Sequence, residues 1–599
     1  MGTDPRQASQ TAPSGASHTW WPGLRLHPKI TFQGAAPNKD TRSSSDHERN
    51  RNVERFLISC SFRIHHVVGP RGPSAAQESI QMPRLALKPD SSFFRKIVIG
   101  AVGARSVCSD LASHGHEMVE LERGSTDTKL WKDVKRKRVR IPDLVCVRCG
   151  QRAESRAKTN AELAMSHSLT DEARAWDFGM IDNDLIGFPI CQAVSDQYWS
   201  AGRLTSGASY WHERSWVRWQ LAGKINYFRV GAFRGTKFAK SSVKGVTEGS
   251  ETSVGWGAVF SSRTATVEGC EGNRITIRRE SDGHRYTRNI PPRLALLVAA
   301  GDRVEVNQVI ASTLTTVGDA ELTCSATLPA RHIPELLVSR ERTQRFTGIK
   351  LARLRHDGAH CDAIAELAAD AEEDIYIRLE GLSYLAAVCG RAPAEIFSGY
   401  LDSPDPQTQL ESVIAIGEIG TPEAVEMLSG ILDDSSLRYF LRSAAAWSLG
   451  RIGTEAAVSR LVKAFADIDI GIREEALEGI ASIGGAAVPI LLSGLRGTAL
   501  DVAAGCAEAL RQQASLPADL IAELSQGIQG PDTPDWAVWL LGHLPRERVA
   551  PAIVGLQRSA PQLHYAISLL WSFMESWIAR RWEVYPGPVD PNVGNRHGA

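Results

Sequence analysis

The C-terminal part of the chain repeats an apolar–glycine signature at a nearly constant spacing. Four segments end in a glycine that closes a run of apolar residues, and the glycines lie 30, 33 and 31 residues apart, at Gly390, Gly420, Gly453 and Gly484. An apolar residue followed by arginine precedes three of them, at positions 377–378, 441–442 and 472–473. Each unit is therefore predicted to be two short helices joined by a turn. Stacked units of this kind form a solenoid that offers a long surface to a partner and needs no catalytic residue.

The units resemble HEAT-like repeats of the phycobilisome-lyase type, in which Asp, an apolar–Arg step and an Ala-rich helix ending Leu-Gly-x-Ile-Gly recur. Residues 434–453 and 469–484 match this pattern well, whereas the unit that ends at Gly420 has Gln409 and Leu410 where arginine is expected. The resemblance covers about residues 345–580. It implies a protein-binding scaffold, and it also implies a bilin-lyase-like HEAT protein as a further alternative.

The zero net charge of the whole chain hides an uneven distribution. Residues 361–550 contain 29 Asp and Glu against 12 Lys and Arg, whereas residues 1–360 contain 52 Lys and Arg against 36 Asp and Glu. Phosphate groups are attracted by dense positive charge, so nucleic acid is expected at the basic front half and not at the solenoid. The solenoid is predicted to bind protein, either a partner or its own basic half. The alternative is that acidic helix faces only keep a long array in solution.

Changes in composition divide the chain into five segments. Residues 1–81 are rich in Pro, Gly, Ser, Gln and Asn and are predicted to be a disordered extension, so that the working polypeptide begins at Met82. Residues 82–195 are predicted to form an α/β domain, 196–345 a β-rich middle domain, 346–582 an all-α solenoid and 583–599 a disordered tail.

Neither a membrane span nor a signal peptide is predicted from the sequence. No uninterrupted apolar run approaches the ~18 residues of a membrane span, and the first residues lack a basic-then-apolar pattern. The ten cysteines are scattered singly except for Cys146 and Cys149, which is not the pattern of a disulfide framework. These features predict a cytoplasmic protein with no membrane partner.

Within the α/β domain the predicted order is helix, strand and then hairpin. Helical spacing over residues 104–113 follows a strand-like run at 94–100, alternation over 117–122 predicts a strand, and residues 139–147 and 151–158 predict the two hairpin strands. With Asp143 in the first hairpin strand and Glu154 in the second, this order resembles the PD-(D/E)xK restriction-endonuclease-like nuclease core. The resemblance implies that both carboxylates hold Mg²⁺, a hard ion that prefers oxygen ligands.

The second hairpin strand also carries the candidate cations of this site. Residues i, i+2 and i+4 share one face of a strand, so Glu154, Arg156 and Lys158 are expected to point the same way. The resemblance implies Glu-x-Lys, but arginine stands in the lysine position. We therefore assign Lys158 as the functional cation and Arg156 as a phosphate clamp, because arginine cannot act as a base. The alternative is a charged edge strand without catalysis, in which case the protein is a non-enzymatic scaffold or adaptor.

A basic strip lies immediately before the hairpin. Residues 129–140 contain seven cations against one acid, with a tryptophan among them. Such a strip can bind a phosphate backbone, or it can be a charged surface in contact with solvent only. The candidate nucleic-acid-binding residues are Lys132, Lys135, Arg136, Lys137 and Arg138.

Cys146 and Cys149 resemble one half of a zinc site. Two thiolates three positions apart, at a turn that ends in glycine, can bind one side of a tetrahedral Zn²⁺, but a closed structural site needs four ligands. The spacing does not select the other two. The candidates that stay open are Cys108, His114, His116, His167 and Cys191.

The middle of the chain is predicted to be rich in β-structure. Residues 274–279 and 285–288 flank a Ser-Asp-Gly turn and predict a hairpin. Residues 301–311 resemble the Gly-Asp-x-Val-x-x-Gly-Gln-x-Ile turn of barrel-sandwich hybrid domains, with Asn307 in place of the second glycine. No lysine is presented for biotin or lipoate, so this element is predicted to be structural.

Overall fold

The computed structural model describes most of the chain between residues 91 and 571. The described ranges are 91–126, 129–130, 140–168, 171–193, 200–204, 210–215, 219–238, 240–243, 251–324, 332–513, 516–527 and 535–571. The predicted extension and tail lie outside these ranges. So do all five candidate nucleic-acid-binding residues of the basic strip.

The N-terminal domain consists of one long helix packed on a mixed sheet. Helix α1 (Ser91–Ser113) precedes a five-stranded sheet of order β1–β3–β4–β6–β11. Strand β3 is antiparallel to both β1 and β4, β6 is parallel to β4, and β11 is antiparallel to β6. These strands are β1 (Met118–Glu120), β3 (Leu144–Cys146), β4 (Arg152–Ser155), β6 (Leu185–Phe188) and β11 (Asn226–Arg229).

Two details of this domain differ from the sequence-based expectation. The run at 94–100, which was expected to be strand-like, is the first half of α1, which continues without a break to Ser113 and buries Val98, Ala101, Ala104 and Val107 at a spacing of three residues. Strand β11 completes the N-terminal sheet although it lies in the range predicted for the middle domain. The predicted strand and hairpin are present as β1 and β3–β4.

The middle region is rich in sheet, as predicted. Its hairpin of β16 and β17 turns at Gly283, whose φ of 67° is a conformation that glycine adopts without strain. Asn307 has φ 63°, so asparagine occupies the left-handed position that the motif usually gives to glycine. The remaining strands are β2 (Lys129–Leu130), β5 (Leu163–Ser168), β7 (Cys191–Ala193), β8 (Ser200–Leu204), β9 (Tyr210–Ser215), β10 (Trp219–Leu221), β12 (Lys240–Val243), β13 (Glu251–Trp256), β14 (Ala258–Phe260), β15 (Ala265–Glu271), β16 (Arg274–Arg279), β17 (Arg285–Asn289), β18 (Ala295–Leu296), β19 (Arg303–Val304) and β20 (Val309–Ser312).

The C-terminal region is an all-α array of helix pairs. After the short helices α2 (Val230–Arg234), α3 (Asp319–Leu322) and α4 (His332–Leu337), helices alternate between two layers. The first layer contains α5 (Arg342–Leu354), α7 (Ile375–Ala387), α9 (Pro406–Gly417), α11 (Tyr439–Ile452), α13 (Ile470–Ile483), α15 (Leu500–Gln512) and α17 (Asp535–His543). The second layer contains α6 (Cys361–Ala369), α8 (Pro393–Leu401), α10 (Pro422–Asp433), α12 (Glu455–Lys463), α14 (Val488–Leu495), α16 (Ala518–Gly527) and α18 (Arg546–Ile553), and α19 (Leu556–Ser559) follows.

The repeated glycines end helices of the first layer. Helices α7, α9, α11 and α13 are each followed within three residues by one of them, and all four glycines have positive φ. This left-handed conformation stops a helix and lets the chain turn towards the next one. The predicted two-helix unit is thus confirmed. Glycine is favoured at these positions because φ is positive there, with values of 69°, 74°, 65° and 71° at Gly390, Gly420, Gly453 and Gly484.

In two of the units the arginine caps the preceding helix of the second layer. Arg378 donates to the carbonyl of Ala368, and Arg442 donates to that of Leu432. Gln409, which stands where arginine was expected, donates its side-chain amide to the Leu401 carbonyl at 2.8 Å. Gln409 therefore makes the same kind of contact as the arginines. The contact matters because carbonyls at the end of a helix have no hydrogen-bond partner within the helix.

A disulfide joins Cys361 at the start of α6 to Cys389 just after α7, with the two Cα atoms 6.1 Å apart. This corrects the interpretation of all the cysteines as single thiols. The antiparallel packing of α6 and α7 brings the two residues together although 28 positions separate them in sequence.

One helical stretch of the described residues, Ile470–Leu495, is long and apolar enough to cross a membrane by length and composition, with a mean hydropathy of 1.6. It comprises α13, a 3₁₀ turn and α14, which are the two helices of one repeat. Ile472, Ile480, Leu491 and Leu495 of this stretch belong to the continuous hydrophobic core of the array.

Candidate functional site

The hairpin β3–β4 brings the two predicted carboxylates side by side. Leu144 pairs with Ala153 in the antiparallel register, so Asp143 and Glu154 are the next opposed pair. Residues that face each other across an antiparallel pair lie on the same side of the sheet. The predicted convergence of these side chains is therefore present in the structure.

Both carboxylates are buried enough to have altered acidity. Glu154 is only 9% exposed, and Asp143 accepts a hydrogen bond from the backbone N–H of Ser155 at 2.8 Å. Burial raises the pKa of Asp143 well above its ordinary value, and the nearby Glu154 and Glu122 raise it further. Burial also raises the pKa of Glu154, although Arg156 opposes this effect. Neighbouring buried acids with raised pKa values are an arrangement that a divalent cation would stabilise in the ionised form.

Glu154 opens onto a cavity of about 330 Å³ whose wall also carries three arginines. Burial lowers the pKa of Arg140, and the neighbouring guanidinium groups of Arg156 and Arg174 lower it further, which shows that the three positive groups converge. The Nε of Arg156 is buried and has no hydrogen-bond partner among the described residues. Converging arginines with a spare donor suit an anion such as a phosphodiester. Glu122 and His167 complete the polar part of the wall.

The predicted cations take different positions around this cavity. Arg156 lines it and forms an ion pair with Glu154 at 3.1 Å. Lys158 lies beyond the end of β4, where its backbone bridges to Ile190, and it is not part of the cavity wall. Asp143 is also absent from the wall. Arg156, which stands where the nuclease pattern has lysine, is thus a cation that contacts the Glu154 carboxylate.

A second group of polar residues lies at the turn of the same hairpin. His116, Cys146, Cys149 and Cys324 place their ligand atoms within 4.8 Å of one another. Cys149 Sγ is 3.3 Å from His116 Nδ1, and the backbone N–H of Cys149 donates to Cys146 Sγ at 3.5 Å. His116 was among the open candidates for the zinc half-site. Cys324 was not, because it follows α3, far along the chain from the hairpin.

The other candidates for this half-site lie elsewhere. Cys108 donates its thiol to the Met118 carbonyl, and His114 contacts the Asp110 carbonyl through Nδ1. Cys191 is buried in a separate apolar cluster, and His167 lines the carboxylate cavity. Of the five candidates, the geometry therefore selects His116. It adds Cys324, which the spacing in the sequence did not indicate.

The surroundings of Cys146 favour its thiolate form. The contact with Cys149 is the main cause that lowers the pKa of Cys146 to about 3, and His116 acts in the same direction while burial opposes both. The hydrogen bond to Cys146 raises the pKa of Cys149, and burial raises that of Cys324. A thiolate is the form of cysteine that binds metals.

The N-terminal domain contacts the first repeats through a buried ion-pair network. Arg123, just after β1, places Nη2 2.6 Å from Glu380 of α7 and Nε 3.0 Å from Glu418 after α9. Arg353 of α5 lies 2.8 Å from Glu380 and also pairs with Glu418, and Lys350 lies 3.2 Å from Glu418. We call these five residues the ion-pair network. Burial opposes ionisation of Glu418, but Arg123, Lys350 and Arg353 bring its pKa well below the ordinary value.

Apolar contacts and further polar contacts reinforce this interface. Leu121, Ile141 and Val145 of the N-terminal domain belong to the same hydrophobic core as the repeats. Arg152 of β4 donates to side-chain oxygens of α5, and Arg451 of α11 pairs with Glu120 at 3.0 Å. The acidic solenoid thus binds part of the chain's own basic half, one of the two protein ligands expected from the charge distribution.

Comparison with known families identifies HEAT repeats in the C-terminal part. Residues 393–481 and 439–511 match the HEAT-repeat family, in agreement with the alternating helix pairs. The match does not extend to the N-terminal domain. No curated protein matches the chain.

Several solved structures are similar to part of the chain. They include the X-ray structure of YibA of E. coli, with 15% identity, 41% of this chain and 92% of that chain covered, and a TM-score of 0.21. Human deoxyhypusine hydroxylase in complex with glycerol has 18% identity, coverages of 41% and 96%, and a TM-score of 0.18. The complex of CpcE and CpcF of phycocyanin lyase from Nostoc sp. PCC7120 has 17% identity, coverages of 41% and 95%, and a TM-score of 0.16. Likenesses this distant carry no argument about activity.

Proposed function

We propose that this protein is a HEAT-repeat interaction scaffold whose first repeats hold the N-terminal domain and whose later repeats bind a partner protein. The observation that carries the proposal is the stacked array of helix pairs, of which residues 393–511 match HEAT repeats. Such arrays act by presenting a continuous surface. The ion-pair network occupies the first repeats, so the surface left for a partner lies further along the array.

The later repeats carry exposed apolar side chains at matching positions. Ile470 and Leu500 are the first residues of α13 and α15 and are 67% and 74% exposed. Arg473 and Asp501, within the first turns of these two helices, approach each other at 3.9 Å, which places the two helix starts side by side. Ile468 adds a third apolar side chain, 88% exposed. An apolar ridge in an acidic array favours a partner that presents apolar and basic side chains.

Affinity capture with the full-length chain tests this proposal. We expect wild type to retain a partner protein from an extract of its native cells, and the double variant Ile470→Asp, Leu500→Asp to retain at least about tenfold less, since buried apolar contacts dominate interface energies. Aspartate in the first turn of a helix is favourable, so the variant should fold. Val338→Asp, at a residue 83% exposed outside the array, is the control and should capture normally. Equal capture by the double variant would contradict the proposed surface.

A second candidate function, metal-dependent phosphodiester hydrolysis, is favoured by the cavity at Glu154. Glu122 and Glu154 line this cavity together with three arginines, which combines oxygen ligands for Mg²⁺ with groups for a phosphate. Asp143 and Glu154 would hold the ion, which polarises the phosphate and lowers the pKa of a bound water. Arg156 would offset the charge of the transition state. The bilin-lyase alternative has only the repeat resemblance in its favour.

Incubation of the purified protein with plasmid DNA, single-stranded DNA and RNA in Mg²⁺ or Mn²⁺ tests the hydrolase. We expect metal-dependent cleavage by wild type and none by Asp143→Ala or Glu154→Ala. Glu162→Ala changes an exposed acid just before β5 and should cleave as wild type does. If all four proteins behave alike, the N-terminal domain is a non-catalytic part of the scaffold.

A further inference from the structure

We propose that His116, Cys146, Cys149 and Cys324 bind one Zn²⁺ in a closed structural site that fixes the hairpin β3–β4 to the loop after α1 and to the segment that leads into the solenoid. The ligand atoms of all four residues lie within 4.8 Å of one another. In a tetrahedron with zinc–sulfur bonds of about 2.3 Å the ligands lie about 3.8 Å apart, so only a small contraction completes the site.

The type of ligand favours zinc over harder cations. Three thiols and one imidazole are soft or borderline ligands, which select zinc, whereas magnesium and calcium require oxygen. Four protein ligands leave no coordination position for water or substrate, so the metal has a structural and not a catalytic role. On binding, the remaining thiol protons are released to solvent.

The histidine is oriented for coordination by its second nitrogen. His116 Nε2 lies 2.8 Å from the carbonyl oxygen of Leu322, which can only accept a hydrogen bond, so Nε2 carries the proton. In the neutral ring Nδ1 then presents its lone pair, and it is Nδ1 that approaches Cys149 at 3.3 Å. A hydrogen bond of this kind to a backbone carbonyl is the usual outer support of a metal-bound histidine. Leu322 lies two residues before Cys324, so the same segment supplies a ligand and the support.

The backbone around the cysteines is also prepared for a metal. Gly150 has φ 73° and donates its N–H to the Cys146 carbonyl at 2.9 Å, which closes the turn with both sulfurs on one side. The Cys324 N–H donates to the His114 carbonyl at 2.9 Å and fixes the third sulfur. Cys149 and Cys324 pack against an apolar cluster that contains Leu111 and Leu144, while His116 and Cys146 are buried.

The site connects the two functional parts of the molecule. Arg355, at the end of α5, donates through Nε to the Val147 carbonyl at 2.7 Å and also contacts the Arg148 carbonyl, so the first repeat binds the turn between the two cysteines. The same hairpin carries Asp143 and Glu154. A zinc ion would therefore hold the carboxylate pair in register with the solenoid, whether or not the pair hydrolyses phosphodiesters.

Metal analysis of the full-length protein tests the site. We expect one zinc per chain by inductively coupled plasma mass spectrometry, and its loss from Cys324→Ser. Cys108→Ser removes the nearest thiol that the geometry excludes and should keep one zinc. Wild type reconstituted with Co²⁺ should show the intense visible bands of tetrahedral thiolate coordination, and Cys324→Ser should not.

Results on wild type alone can overturn the proposal even if a variant fails to fold. A zinc content near zero in protein purified without chelators, together with a Cys146–Cys149 disulfide or freely reactive thiols, would refute it. So would retention of zinc by Cys324→Ser, or a full equivalent of another metal in place of zinc. None of these outcomes depends on partner binding or hydrolysis.

Discussion

Replacement of Glu380 by alanine is expected to lower the free energy of unfolding by about 3–5 kcal/mol. The Glu380 side chain is fully buried and accepts from Arg123 at 2.6 Å and from Arg353 at 2.8 Å. Its removal leaves two buried guanidinium groups to share Glu418, beside the ammonium group of Lys350. An uncompensated buried charge costs more than the ion pair contributes, so the effect should exceed that of any exposed pair.

Differential scanning calorimetry and urea denaturation of the full-length chain measure this effect. Glu366→Ala is the matched control, because Glu366 is exposed on the neighbouring helix α6, and it should change stability by less than about 0.5 kcal/mol. If Glu380→Ala costs no more than the control, the ion-pair network does not exist in solution.

Replacement of Asp143 by asparagine is expected to stabilise the protein at neutral pH, by about 0.5–2 kcal/mol. Burial, Glu154 and Glu122 raise the pKa of Asp143 in the folded state above its ordinary value of 3.8. Between the ordinary pKa and the raised pKa of the folded state, the folded state binds more protons than the unfolded state. The free energy of unfolding therefore falls as the pH rises through this window. The full cost is present once the pH lies above the raised pKa of the folded state. Asparagine removes the charge and can still accept from the N–H of Ser155.

Thermal unfolding between pH 4 and pH 8, without divalent metal, measures this gain. The variant should have a higher Tm at neutral pH and a weaker fall in stability through the window. Mg²⁺ should raise the Tm of wild type and leave the variant unchanged, because ligand binding to the folded state is stabilising. A variant that is less stable than wild type at neutral pH would show that the Asp143 carboxylate has a structural role, in line with the alternative of a charged edge strand without catalysis.

The solenoid was predictable because its signals are local. The repeated glycine ends a helix through its own φ. Arg378 and Arg442 each donate to the carbonyl of the residue ten positions earlier in the chain. Such relations recur within a single repeat and are therefore visible in the sequence. Gln409 looked like a defect in the pattern, because only the structure shows that its amide reaches the same type of carbonyl.

Contacts between distant segments were not predictable in the same way. The facing positions of Asp143 and Glu154 follow from a short hairpin, but the assignment of Lys158 rested on alternation that ends with β4 at Ser155. The thiol group needs Cys324, which the fold returns to the hairpin after the whole middle region. The opposite charges of the two halves suggested that they attract each other, but not that Arg123 is the residue that enters the acidic array.

The central claim is that the first HEAT repeats hold the N-terminal domain of the same chain through Arg123. A double-mutant cycle with Arg123→Ala, Glu380→Ala and the double variant tests it most directly, because it measures the coupling between the two side chains. We expect the double variant to be less destabilised than the sum of the single variants, with a coupling of about 1.5–3 kcal/mol. Additivity within about 0.5 kcal/mol would mean that the two residues do not interact and would contradict the claim.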